Sequence, residues 1–137
     1  MFKSTFPVIC FLMVTPVVSQ ADWPSWRGPG DLGSVNGGDF PAELNEGTLL
    51  WKAALPGKGC STPIEWNGTI YLTAPADGKD ALLAIADDGE PCWTATFGDE
   101  VAGKHRNGSG SNASPVTDGE AVFVYFKSGT LAAVEFD

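Results

Sequence analysis

The sequence predicts an all-β fold made of two tandem copies of a four-stranded unit, and three observations predict it. From Thr48 onward the chain falls into short apolar or alternating runs, rich in β-branched and aromatic residues and separated by Gly, Asp, Asn and Pro. No segment carries a helical period. The landmarks of the runs recur in the same order. Leu50-Trp51-Lys52 returns as Cys92-Trp93-Thr94, Ser61-Thr62-Pro63-Ile64 as Ala113-Ser114-Pro115-Val116, and Leu82-Leu83-Ala84-Ile85 as Leu131-Ala132-Ala133-Val134, at shifts of 42, 52 and 49 residues.

Taken in chain order, the first element is not a strand. Met1-Phe2-Lys3, an apolar run of 13 residues from Phe6 to Val18, and Ser19-Gln20-Ala21 before Asp22 form the layout of a signal peptide, residues 1–21. The run is shorter than the roughly 20 residues a membrane-spanning helix needs, so no transmembrane span is expected. Cys10 lies inside the run, with too little apolar sequence before it to be a lipidation site. Residues 22–47 are dense in Gly, Pro and Asp and read as an irregular lead-in. Residues 48–137 hold the strands, expected at 48–54, 61–66, 69–73 and 81–86 in the first unit and at 93–97, 112–117, 121–127 and 131–136 in the second. Asn67-Gly68 and Asp118-Gly119 join the second and third strands of each unit as tight hairpins, because such pairs accept positive φ at both central positions. The unequal shifts place about ten extra residues, 98–111, between the first two strands of the second unit.

A four-stranded unit of roughly 40 to 50 residues in tandem is the signature of a β-propeller blade. A blade cannot cover both its faces alone. The Trp recurring in each unit, Trp51 and Trp93, is therefore expected between blades, where an indole buries roughly 150–250 Å².

At these residues the sequence resembles the PQQ-like (pyrroloquinoline-quinone-like), or BamB-like, propeller repeat family. Ala84-Ile85-Ala86-Asp87-Asp88-Gly89-Glu90-Pro91-Cys92-Trp93 resembles the repeat's docking segment, one residue shorter than usual and with Ala86 where an Asp is common. Trp23-Pro24-Ser25-Trp26-Arg27-Gly28-Pro29 resembles the opening of a secreted bacterial subgroup, Trp-Pro-x-Trp-Arg-Gly-Pro. Gly59-Cys60-Ser61-Thr62-Pro63, His105-Arg106-Asn107-Gly108 and Ser114-Pro115-Val116-Thr117-Asp118-Gly119 are similar to it as well. The resemblance implies a ring of about seven or eight blades. About two are expected here, as the N-terminal part of a larger ring whose second blade stops at Asp137, before its Gly and closing Trp.

Charge narrows the function. Net charge is −9, and removal of residues 1–21 would take away one Lys and no acid, so nucleic acid and anionic lipid surfaces are repelled. Export implies an oxidising, secreted or periplasmic location in which Cys60 and Cys92 could pair; their spacing fits no metal-ligand pattern and leaves pairing open. Gly28-Pro29-Gly30-Asp31-Leu32-Gly33 matches Gly-x-Gly-x-x-Gly but follows no strand and opens no helix. Gly98-Asp99-Glu100-Val101-Ala102-Gly103-Lys104-His105 resembles a phosphate-binding loop, with two acids inside it and His105 where Ser or Thr would hold magnesium. Asn67, Asn107 and Asn112 fit glycosylation sequons and read as turn residues, and Asp87-Asp88-Gly89-Glu90 lacks the ligand spacing of a calcium loop.

No catalytic, cofactor-binding or metal residue is therefore assigned. The best local candidate for function is the sole histidine, His105, in a basic insert with Lys104 and Arg106. Two functions are carried forward. One is a non-enzymatic extracytoplasmic module that holds a protein or polysaccharide. The other is part of a quinoprotein dehydrogenase, for which the resemblance implies PQQ and calcium, often with a disulfide between adjacent cysteines. No two cysteines here are adjacent, so missing blades would have to supply that site. Two blades alone leave apolar faces open, so self-association of the chain is expected.

Overall fold

The computed structural model describes residues 22–136 except 36, 39 and 107; the expected signal peptide lies outside the described residues. The strands are β1 (Ile64–Trp66), β2 (Thr69–Ala76), β3 (Lys79–Ala86), β4 (Pro91–Asp99), β5 (Val116–Thr117), β6 (Ala121–Tyr125) and β7 (Leu131–Glu135). They form two antiparallel sheets, ordered β1-β2-β3-β4 and β5-β6-β7. No α-helix occurs among the described residues; Pro29–Asp31 make one 3-10 turn.

The units exist, but their frame differs from the expected one. Residues 91–99, expected to open the second unit, pair with β3 and close the first sheet, Ala84 opposite Trp93. Residues 48–54, their counterpart by the Trp repeat, form no strand. The reason is positional: the repeat puts them where a fourth strand stands, and no third strand lies beside them among the described residues. Leu49 and Leu50 are accordingly exposed, at 58% and 92%. The segment still runs antiparallel to β3, from Trp51 beside the β3–β4 turn to Gly57 against Pro75 near the opposite end of β2.

Other limits shift for local reasons. β2 runs three residues beyond expectation, through Pro75, because the Asp77-Gly78 turn (φ 50° and 75°) keeps Ala76 in register with Lys79. Asn67-Gly68 (φ 50° and 76°) is the expected tight hairpin. Its counterpart is wider: the paired register jumps from Thr117 to Val122, and Asp118 Oδ1 accepts the N–H groups of Glu120 and Ala121 at 2.9 and 3.1 Å.

The register shows how the sheets stack. Ile64, Tyr71, Ala84 and Trp93 lie in one cross-strand row on the first sheet, facing the second. With Leu82 they pack against Val122, Val124 and Phe126, and Ala132, Val134 and Phe136 flank that core. Tyr71 lies 5.9 Å from the Trp93 ring and 5.6 Å from Phe136, in tilted contacts that suit aromatic quadrupoles. The rear face of the first sheet buries Leu72, Ala74, Ala76, Ala81, Leu83 and Ile85, with Ala53 of the preceding segment packed on it.

Trp93 thus sits between the sheets, as the repeat predicts. Trp51 is also half-buried. Its Nε1 donates to the Asp87 carbonyl at 2.6 Å, and its ring lies so close over Gly89 (φ 90°) that a Cβ there would stand 2.6 Å from it.

The lead-in supplies a further tie. Trp23 forms a two-way bridge with Glu65 on the free edge of β1, and Thr117 N donates to the Pro24 carbonyl at 2.9 Å, so residues 23–24 touch both sheets. Gly28 (φ 70°) closes beneath the Trp23 ring, where a Cβ would again stand 2.6 Å away.

Candidate functional site

Strand direction gives the molecule two ends. At one lie the β1–β2, β3–β4 and β5–β6 connections, with Glu65, Asp87, Asp88, Glu90, Asp118 and Glu120. At the other lie the β2–β3 and β6–β7 turns, the approach to β1 and residues 100–112. Five of the seven Lys and Arg in residues 22–137 lie at this second end: Lys58, Lys79, Lys104, Arg106 and Lys127. The two ends thus differ sharply in charge.

The insert expected at 98–111 begins two residues later, since Gly98 and Asp99 belong to β4. It folds back on itself. A Cβ on Gly103 would stand 2.5 Å from the Gly108 carbonyl carbon, and one on Gly110 2.6 Å from the Val101 oxygen. Glu100 N donates to the Gly78 carbonyl at 2.9 Å, and Gly110 N donates to Glu100 Oε1 at 3.2 Å. The tip is exposed at Lys104, His105 and Arg106. The base is not: Ser109, Gly110 and Ser111 are buried. Thr73, fully buried, donates its hydroxyl to the Ala113 carbonyl at 2.9 Å and so ties the base to the first sheet.

Two lysines outside the insert hold it by carbonyls. Lys58 Nζ donates to the Arg106 carbonyl and Lys127 Nζ to the Ala102 carbonyl. Neither contact neutralises charge. The ion pair found among the described residues joins Lys79 and Asp99 at 2.5 Å, which holds the Asp99 carboxyl below the ordinary carboxylate range through the ammonium's hydrogen bond and charge. Lys58, Lys104, Arg106 and Lys127 have no carboxylate within salt-bridge distance among the described residues.

The other sequence candidates are scattered. Cys60 precedes β1 and Cys92 opens β4; both are exposed and not bonded to each other. Asp87-Asp88-Gly89-Glu90 is a turn in which Glu90 N donates to Asp88 Oδ1 at 3.0 Å. The glycines of residues 28–33 surround the 3-10 turn, and residues 98–105 open no helix. Asn67 is a hairpin residue, Asn112 is exposed and accepts from Ser109 N at 2.9 Å, and Asn107 lies outside the described residues. No three His, Cys, Asp or Glu side chains group as a metal site among the described residues. Sequence reasoning missed the contribution of Lys58 and Lys127, because only the fold brings them to the insert. A cleft of about 580 Å³ separates residues 52–56 from β3 and β4, walled by Leu55, Leu83, Ile85 and Trp93.

Among curated proteins none matches the chain. The PQQ repeat family described as "Outer membrane protein assembly factor BamB" matches residues 34–137.

Proposed function

The chain belongs to the BamB-like PQQ repeat family, and on that premise we propose that it is a non-enzymatic binding or scaffold module of the secreted bacterial kind, working in the periplasm or outside the cell. The observation that carries this reading is the distribution of chemistry. Its charged loops are gathered at the two ends of a stacked-sheet frame, acidic turns at one and Lys58, Lys104, Arg106 and Lys127 at the other, where end loops can hold a partner. That the family is described as an assembly factor supports a scaffolding role. Partners of such a module are proteins or polysaccharides, taken by its end loops.

The alternative is a part of a PQQ-dependent quinoprotein dehydrogenase, and the family likeness alone supports it. Against it stand the positions of Cys60 and Cys92, on separate elements, and the lack of clustered carboxylates among the described residues. We expect the chain itself to bind neither PQQ nor calcium. Titrating it with PQQ and calcium should give no saturable quenching of tryptophan emission. A dissociation constant near 1 μM or tighter would remove the scaffold reading. Association of the chain with itself through its open sheet faces is part of the same proposal.

A further inference from the structure

We propose that the end of the molecule bearing Lys58, Lys104, Arg106 and Lys127 is a binding surface for a carboxylate-bearing polysaccharide such as a polyuronate. This names a ligand class for the binding-module reading and rests on it.

The argument begins with where positive charge goes in an acidic chain. Net charge is −9, yet these four cations come from three separate stretches of sequence and are brought to one end. Lys58 and Lys127 reach the insert from two separate segments and donate to its backbone at Arg106 and Ala102. An ammonium has three donors and these carbonyls use one each, so charge and donors remain for a ligand. All four side chains are exposed.

Local anions cancel them only in part: Asp99 is paired with Lys79, and Glu100, the exposed Asp77 and the fully buried Asp80, which accepts Ser128 Oγ at 2.6 Å, stand against four cations, so this end keeps an excess of positive charge. The acidic turns lie at the far end of the strands, β3 alone spanning eight residues, or roughly 25 Å. The screening length at physiological ionic strength is about 8 Å. The local sign therefore governs, and an anion approaching this end meets cations.

The surface also selects among anions. A folded protein partner needs aromatic or aliphatic anchors at the centre of its interface. Here Phe126 is fully buried, and the exposed large apolar side chains are Val101 in the insert and the single ring of Tyr125, which lines a hollow with Gly110, Asn112 and Lys127 and offers a sugar ring one stacking face. Single-stranded nucleic acid needs stacking platforms, and the insert carries no aromatic ring apart from His105. A linear polymer with regularly spaced carboxylates and hydroxyls asks only for separated cations and backbone groups, which this end offers.

The test is titration of the full chain with polygalacturonate, with dextran as the neutral control and polyglutamate and single-stranded DNA as competing polyanions. The expected result is saturable binding of polygalacturonate, none of dextran, and weaker binding of the other two. Raising salt to about 0.5 M should abolish it. Lys104→Ala with Arg106→Ala should weaken binding about tenfold while leaving the unfolding transition in place, whereas Arg27→Ala with Lys52→Ala, away from this end, should leave affinity unchanged. No binding of polygalacturonate, equal loss in both double variants, or tighter binding of polyglutamate or DNA would overturn the proposal. None of these outcomes bears on the scaffold reading, whose failure shows in the titration with PQQ and calcium.

Discussion

Gly89 and Gly129 hold nearly the same backbone angle, φ 90° and 93°, but only Gly89 lies under an indole, since nothing stands within 4 Å of a Cβ built on Gly129. The pair therefore separates backbone strain from contact. Gly129→Ala should cost about 1 kcal/mol, the price of a left-handed conformation alone. Gly89→Ala should cost about 2–3 kcal/mol, because the Trp51 ring must also give way and its 2.6 Å hydrogen bond to Asp87 with it. Urea unfolding of the two variants measures the difference, and equal losses would mean that Trp51 does not bear on the turn. Asp118 offers a test by pH. Backbone N–H groups of Glu120 and Ala121 hold its carboxyl below the ordinary range, so the folded state favours the ionised form. That stabilisation is present above the unfolded value near 3.9 and is lost as pH falls through the lower folded value. Asp118→Ala should destabilise the chain at pH 7, and the gap from the wild type should close in acid unfolding curves taken below about pH 4.

At the scale of elements, the insert between β4 and β5 has a dispensable tip and a structural base. Gly103 already touches Gly108, so excising residues 104–107 and joining these glycines should change stability by less than about 1 kcal/mol. Thermal unfolding checks this, and loss of cooperative folding would show that the tip supports the sheets. Removing Ser109–Ser111 should be far more costly, because that stretch is buried against Thr73. The contrast was not legible in the sequence, where Gly and Ser throughout 103–111 look uniformly loop-like. The repeat was legible, because Trp, Pro and paired Gly turns recur and each has a local physical reason. What periodicity could not say is which sheet a run joins. Residues 48–54 and 91–99 have the same character, and only the presence of a neighbouring third strand makes one a strand and leaves the other unpaired. The strand expected at 69–73 runs on through Pro75 to Ala76, because the Asp77-Gly78 turn beyond carries the ladder on.

For the whole molecule, the register turns the repeat into a statement about stacking. The row Ile64, Tyr71, Ala84 that meets the second sheet is repeated within that sheet as Val116, Phe123, Ala133. This second row faces away, and around it Val116, Tyr125 and Leu131 are 45%, 55% and 74% exposed. A face whose counterpart is buried by stacking is apolar for the same purpose and is left here without a cover among the described residues. Sedimentation velocity of the chain over a range of concentrations, with and without Leu131→Asp, tests this most directly. The stacked-repeat account predicts concentration-dependent association that the substitution weakens. A sharp monomer boundary at every concentration, unchanged by Leu131→Asp, would contradict it.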